Sequence, residues 1–321
     1  MTDNATRTFD HLRSRLHGIA YRMLGSVADA EELVQDVWLR WHEADVARLD
    51  NAEAWLVTVT TRLAIDRLRS AQARRALYAG FWLPEPCLSR DQHPLAPHGE
   101  APATPEQLLE RADDISVAFL TLLERLGPEA RAAFLLREVF DADYAEVAQA
   151  LGKSEAACRQ IVSRAKARIR SGRQGQPVPP HAHHRLLAGF AEAARTGDLA
   201  ALRALLAEDV ELVSDGGGVV PSFGHVLTGP ERIARLYFAA WRRAERGDVT
   251  QRLELARING QWGLLRFIDG QLESAQSMET DGVRIVRIFT QRNPAKLRAL
   301  AAAWAARQPL SQAGGLPRLE G

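Results

Sequence analysis

Cysteine is scarce: Cys87 and Cys158 are the only two among 321 residues. That excludes a disulfide scaffold and a four-cysteine zinc site, and it fits a reducing compartment. No apolar run approaches the roughly 20 residues that a membrane-spanning helix needs. The opening MTDNATRTFD carries no basic segment followed by an apolar stretch, so the expectation is a cytoplasmic protein with no membrane partner. An excess of one charge sign is also missing, since 41 basic and 40 acidic side chains leave a formal net charge of +1. The total by itself points to no nucleic-acid partner. Core-forming material, by contrast, is present in ordinary amount, at 46% hydrophobic and 25% charged residues. At about 150 residues per folding unit the length predicts two domains, or three small ones. No internal repeat is found.

The distribution of charge says more than its sum. Arg62 to Arg75 holds five Arg against Asp66, and Lys153 to Arg173 holds seven basic residues against Glu155. Between these basic patches, Ala76 to Pro128 carries three Arg and eight acids, with six prolines from Pro84 to Pro105. Proline removes backbone donors and like charges repel, so this stretch reads as an acidic, extended linker. Gly and Pro cluster again from Gly172 to His181, which reads as a second linker. The expected division is a helical unit over 7–75, a linker over 76–108, a second helical unit over 109–172, a linker over 173–181, an α+β unit over 182–304, and a loose tail over 305–321.

In the first unit, Ala30, Leu33, Val34, Val37, Trp38 and Trp41 form one stripe of a helix. Glu31, Glu32, Gln35, Asp36, Leu39 and Arg40 lie off it, with Leu39 an apolar residue on the polar side. After a polar loop from Glu43 to Asn51, a second helix starts near Ala52 and turns Trp55, Leu56, Val59, Leu63 and Leu68 inward. Arg62, Asp66 and Arg69 line its outer face, where the acid can pair with either arginine.

The strongest local pattern is DYAEVAQALGKSEAACRQIVSRAKARIR, Asp143 to Arg170, which resembles a helix-turn-helix. Ala148 is small where two helices cross, Gly152 supplies a positive φ, Ser154 caps the second helix and Glu155 suits its first turn. Val147, Leu151, Cys158 and Ile161 hold the two helices together. Ser154, Glu155, Ala156, Arg159, Gln160 and Ser163 then face outward, as a recognition helix requires in a major groove. Arg159 suits guanine and Gln160 adenine, whereas Arg164, Lys166, Arg168 and Arg170 suit phosphates.

The order of these parts resembles the extracytoplasmic-function sigma factors. Ala20 to Trp41 followed by Asn51 to Arg75 is similar to their region two, and Gly127 to Arg170 to their region four. The resemblance implies a multidomain protein whose two sigma domains are all-α, with core RNA polymerase (β′ clamp and β) and promoter DNA as partners. It implies that Gln35, Asp36, Leu39 and Arg40 dock on the β′ clamp, and that Arg62, Asp66 and Arg69 meet minus-ten DNA together with the loop Glu43 to Asn51. It further implies that Ser154, Glu155, Ala156, Arg159, Gln160, Ser163 and Arg164 read the minus-thirty-five element. A melted base must leave the stack and find a pocket, which an irregular loop beside a basic helix can offer.

The third unit alternates amphipathic helices with strand-like stretches broken by Asn-Gly and Asp-Gly turns: two helices and a short strand from His184 to Gly218, then a helix, then four strands. This resembles the SnoaL-like fold, an α+β cone with an interior pocket. Sigma factors with such an extension form a subgroup, and the chain has three of its markers: WLPEP (Trp82, Leu83, Pro84, Glu85, Pro86), DGGG (Asp215, Gly216, Gly217, Gly218) and NPAKL (Asn293, Pro294, Ala295, Lys296, Leu297). It departs from the pattern with Val219 in place of lysine and Ala295 in place of aspartate. Trp82 and Leu83 need covering, and the cone is the expected cover, so the markers are expected to join linker and cone and to modulate the sigma core.

No enzymatic activity, metal or cofactor is expected. The alternative is a cone that binds a small molecule or acts as a cyclase or isomerase fused to a DNA-binding regulator, with Asp215 or His225 as base and Tyr237, Trp241 and Trp262 as pocket walls. An unidentified small-molecule partner of the cone stays open. His181, His183 and His184 lie in the second linker without a Cys or carboxylate at ligand spacing, so they read as solvated rather than metal-binding.

Overall fold

The computed structural model describes residues 3–75, 78, 80–89, 116–172 and 178–307. The first unit is three helices, α1 (Asp3–Leu24), α2 (Val27–Glu43) and α3 (Ala52–Arg75). Gly25, at φ 69°, stops α1, and Ser26 starts α2 by accepting the Asp29 amide. The expected stripe is the buried one: Ala30, Leu33, Val34, Val37 and Trp41 are inside, and Trp38 packs half-buried beside them. The polar loop contains a 3-10 turn, Val46–Arg48. In α3, Leu56 and Leu68 are buried, whereas Trp55, Val59 and Leu63 are half-buried. Thr60, Thr61, Ala64 and Ile65 are buried instead, because α3 is covered on two sides, by α1 and by the second helical unit.

That second unit comprises α4 (Val117–Leu123), α5 (Pro128–Glu138), α6 (Tyr144–Leu151) and α7 (Glu155–Gly172). Its hydrophobic core is continuous with that of the first. Helix α4 corrects the reading of Ala76 to Pro128 as extended throughout: Ser116 caps it, and all its apolar side chains except the half-buried Phe119 are buried. Residues 76–77, 79 and 90–115, which hold most of the expected linker, lie outside the described residues. Asp143 and Glu146 close a capping box at α6, and Gly152, at φ 64°, ends it. Ser154 accepts the Ala157 amide at the start of α7. Val147 and Cys158 are buried as expected, whereas Leu151 and Ile161 are only half-buried and Val162, Ala165 and Ile169 complete the helical core.

The third unit begins earlier than expected. Helix α8 (Pro180–Thr196) starts within the supposed linker, because proline at the first helical position forfeits no hydrogen bond. Residues 173–177 lie outside the described residues. His181, His183 and His184 are therefore helical rather than in a solvated linker. His183 is buried with Nε2 2.8 Å from the Met278 carbonyl, and the His184 ring lies 4.5 Å from that of Trp262. There follow α9 (Leu199–Ala204), β1 (Leu206–Asp215), β2 (Leu227–Thr228), α10 (Pro230–Glu245), β3 (Gln251–Ile258), β4 (Gln261–Ile268), β5 (Gln271–Thr280), β6 (Ile285–Gln291) and α11 (Pro294–Arg307). The strand expected to be short, β1, spans 10 residues. Of the expected tail, residues up to Arg307 are helical, and 308–321 lie outside the described residues.

The strands form one sheet in the order β2-β1-β6-β5-β4-β3, antiparallel except for the β1–β6 pair. Asn259-Gly260 and Asp269-Gly270 have positive φ at both positions, as two-residue hairpins demand. Helices α8, α9 and α10 cover one face, and α11 lies against the other.

Burial pulls the His183 imidazole below the ordinary histidine value of 6.5, against the bond to the Met278 carbonyl and with a small push from His184. An unfolded chain takes up a proton near pH 6.5 that the folded cone does not, so the stability tied to His183 is present above that pH and lost below it. Calorimetric melting is expected to show the cone weakening between about pH 7 and pH 5. In His183→Gln, whose amide can still donate to the carbonyl, that fall should be smaller. An unchanged pH slope would contradict this role.

Candidate functional site

Three surfaces and one buried junction carry the candidate residues. On α2, Gln35, Leu39 and Arg40 are exposed, with Leu39 at 60% the large apolar residue left out on that helix. Asp36 is different: it accepts from Arg67 of α3 at 2.5 Å, so it also ties the two helices together.

On α3, Asp66 pairs with Arg69 at 3.4 Å, one of the two pairings foreseen. Arg62 instead donates from Nε to the Ala150 carbonyl at 3.1 Å and from Nη2 to that of Gln149 at 2.9 Å. Arg69 also reaches Glu129 at 2.8 Å. The outer face of α3 is thus turned toward α5 and α6, where it meets orphan carbonyls at the C-terminus of α6.

On α7, Ser154, Glu155, Ala156, Arg159, Gln160, Ser163 and Arg164 are all exposed, as are Arg168 and Arg170. Arg159 bonds Glu155 at 2.7 Å and lies over the Tyr144 ring, which holds its guanidinium beside the recognition surface. Lys166 pairs with Glu138 at 2.6 Å, so its foreseen role at phosphates is not supported by a free ammonium.

The junction is built around 80–89, a segment held between the first unit and the cone. Leu83 is buried in a cluster with Val117 and Ala118 of α4 and Phe289 of β6. Asp215, fully buried, is its polar centre. Its Oδ2 accepts from the Leu83 amide at 2.9 Å, from Lys296 Nζ at 2.7 Å and from Gln291 Nε2 at 3.2 Å. Its Oδ1 accepts from Tyr78 at 2.7 Å and the Gly217 amide at 3.0 Å. Lys296 also donates to the Leu83 carbonyl at 2.8 Å, and Asn293 donates to Tyr78 at 2.9 Å. Burial pulls the Lys296 ammonium down, and Asp215 opposes that shift. Trp82 is covered on its ring faces by cations, Arg75 at 3.5 Å and Lys296 Nζ at 4.2 Å from the centroid.

The glycines serve this junction unequally. A side chain on Gly217 would run into Asn293, and one on Gly216 into the Val220 carbonyl. Gly218 is exposed, Val219 is exposed, and Pro294 only opens α11. Pro84 is buried and its carbonyl accepts from Gln291 at 3.4 Å. On the other side, Glu85 accepts the Val27 amide at 2.8 Å at the start of α2, and Tyr21 donates to its carbonyl at 2.6 Å. Asn259 links Tyr21 to the Cys87 amide. Tyr78, Gln291, Tyr21, Asn259 and Arg75 were not legible as site residues, whereas Glu85 lies within the WLPEP marker. A possible signal was Asn259 at a turn whose side chain is then free to bond elsewhere.

The cone holds a cavity of about 460 Å³ that opens to solvent. Tyr237 lines it, but Trp241, Trp262, Asp215 and His225 do not. Asp215 faces the linker through the opposite face of β1, so the foreseen base is spent on that contact. Among the described residues, no cluster of His, Cys, Asp and Glu fit to hold a metal and no helix long and apolar enough to cross a membrane is present.

The Sigma-70 region 2 model matches residues 8–74 and the Sigma-70, region 4 model residues 116–169. The ECF RNA polymerase sigma factor SigJ of Mycobacterium tuberculosis is 38% identical over 258 residues, covering 79% of this chain and 78% of the relative. The probable ECF RNA polymerase sigma factor SigI of the same species is 30% identical over 294 residues, covering 90% and 93%. The crystal structure of the M. tuberculosis extracytoplasmic function sigma factor SigJ superposes with a TM-score of 0.68 at 30% identity, over 92% of this chain and 98% of that one. The two matched helical regions, in this order and joined to a SnoaL-like α+β cone, settle the family: the chain belongs to the ECF RNA polymerase sigma factors.

Proposed function

We propose that this sigma factor is regulated by its own cone, which grips the 80–89 linker, while the helical regions direct RNA polymerase to promoters. The observation that supports the regulatory reading is the Asp215 junction, which joins the 80–89 linker to the cone through one buried carboxylate. Run-off transcription with core polymerase tests it. The full-length protein and a chain ending at Gly172 should differ in promoter-dependent output, and equal output would overturn the reading.

The polymerase face is Gln35, Leu39 and Arg40 of α2, with Asp36 at its edge. Because reversing Asp36 would also break its bond to Arg67, the discriminating variant is Leu39→Asp with Gln35→Ala. It should weaken binding to β′ by about tenfold or more while leaving the melting curve in place. Unchanged affinity in a pull-down would reject this face.

For DNA, Arg62, Asp66 and Arg69 are assigned to the minus-ten element and the exposed face of α7, from Ser154 to Arg164, to the minus-thirty-five element. Arg159→Ala should cost about 1 to 3 kcal/mol at a particular base pair and relax the preference there. Arg168→Ala should weaken binding alike on all sequences. A promoter library in which both variants lose the same information would refute this sorting.

A further inference from the structure

The two faces of the cone's sheet serve different ends. Val213, Asp215, Phe289 and Gln291 point toward the linker and α4, while their neighbours Leu212, Ser214, Thr290 and Arg292 line the cavity. The cavity's volume, about 460 Å³, falls in the range of small-molecule sites. Much of its wall is apolar, with Leu212, Phe223, Leu236 and Ile268 contributing.

Its polar groups do not balance. Three arginines, Arg243, Arg266 and Arg292, line it against one acid, Glu273. Arg292 is satisfied: it bonds Glu273 Oε1 through Nε at 2.7 Å and Nη2 at 2.5 Å, and it donates to the Pro221 carbonyl. Arg266 is not. Its Nη1 lies 3.8 Å from Glu273 Oε2, beyond hydrogen-bond reach, and its buried Nε has no hydrogen-bond partner. Thr290, 7% exposed, has a buried hydroxyl without a hydrogen-bond partner, while Tyr237 and Gln276 satisfy each other at 2.7 Å. Burial lowers the Arg266 pKa, against the nearby Glu273. Arg266 thus keeps an ion pair to Glu273, but a wall that leaves its buried Nε, the Glu273 Oε2 and the Thr290 hydroxyl without hydrogen bonds is costly unless a polar group fills the space.

We propose that the cone interior is a binding site for an organic monocarboxylate with an apolar body, its carboxylate taken by Arg266 and Thr290. A guanidinium matches a planar carboxylate, and the apolar wall takes the remainder of the ligand. This site is independent of the promoter reading, since it is tested by binding alone.

Calorimetric titration of the full-length protein with naphthalene-2-carboxylate and with octanoate tests it, beside the neutral naphthalene-2-carboxamide and inorganic phosphate. Saturable binding of at least one carboxylate is expected at millimolar concentration or below, with the amide weaker by about tenfold or more and phosphate weaker still. Arg266→Gln should bring naphthalene-2-carboxylate and its amide to the same affinity. Should that variant lose its fold by circular dichroism, Ala240→Phe fills the cavity from α10 with Arg266 intact, and it should abolish carboxylate binding. Equal binding of acid and amide by the native protein, binding of phosphate as tight as that of the carboxylates, or no saturable binding of either carboxylate would overturn the proposal. Run-off transcription in the same preparations reads sigma activity separately, so loss of the ligand site and loss of the promoter function are told apart.

Discussion

In Asp215→Ala, the linker segment 80–89 is expected to lose its protection against amide exchange while the two helical units keep theirs. Asp215 is the acceptor for the Leu83 amide, Tyr78, Gln291 and Lys296, and it is fully buried. Removing one partner of a buried pair leaves the other charge without compensation, which costs about 3–5 kcal/mol. Here the stranded group is the Lys296 ammonium, itself placed against the Trp82 ring. The cheapest relief is for the linker to leave and let water reach Lys296. Exchange at 80–89 should then accelerate by two orders of magnitude or so, since each 1.4 kcal/mol is about tenfold. Trp82→Ala should loosen the same segment less, and in the double variant the two effects should fail to add by about 0.5–3 kcal/mol, because both side chains contact Lys296. Additive effects, or full protection in Asp215→Ala, would show that the junction is not one cooperative unit.

The second large effect is expected at the seam between the helical units. Glu124 accepts from Arg131 at 2.6 Å and also from Arg75, whose Nη2 bonds the Leu24 carbonyl at 2.5 Å. Arg131 is buried and reaches back to the Arg22 carbonyl at 3.0 Å, so the cluster ties α5 to the end of α1. Glu124→Ala strands two arginines at once and should cost about 3–5 kcal/mol, released when the units part. Parting has a functional consequence. Arg62 and Arg69, assigned above to minus-ten DNA, are engaged by Gln149, Ala150 and Glu129 across this seam. Those donors cannot serve DNA until the seam opens. Fluorescence energy transfer between labels on α3 and α7 should therefore report a longer distance in Glu124→Ala. Promoter binding with core polymerase should require less opening work. An unchanged distance with an unchanged melting curve would remove the seam from the account.

The helices were legible in the sequence wherever burial is one-sided. Stripes of 3.6-residue period fixed the inner face of α2, and Gly152 and Ser154 marked the end of α6 and the start of α7, because caps and periodicity act within a few residues of chain. The Asn-Gly and Asp-Gly turns of the sheet were readable for the same local reason. The buried face of α3 is broader than its apolar stripe, since Thr60, Thr61 and Ala64 are buried too, whereas Arg62, Asp66 and Arg69 are exposed on its outer face as expected. Proline misled at 180, where it suggested a solvated linker and a helix begins; around 84 the chain is extended, with Leu83 covered by the cone as expected.

What the sequence by itself determined is most of the elements, the exposed face of α7 and, through the family resemblance, the three marker segments of the junction. The elements and the exposed face follow from local propensity, capping and residue chemistry. Only the tertiary structure decided who meets whom: that Asp215 faces the linker and not the cavity, that Arg62 bonds the end of α6, and that Arg266 and Thr290 line one cavity. The reason is that a strand's alternation assigns neighbouring residues to opposite faces, while what lies across each face is set by elements as much as 238 residues away in the chain.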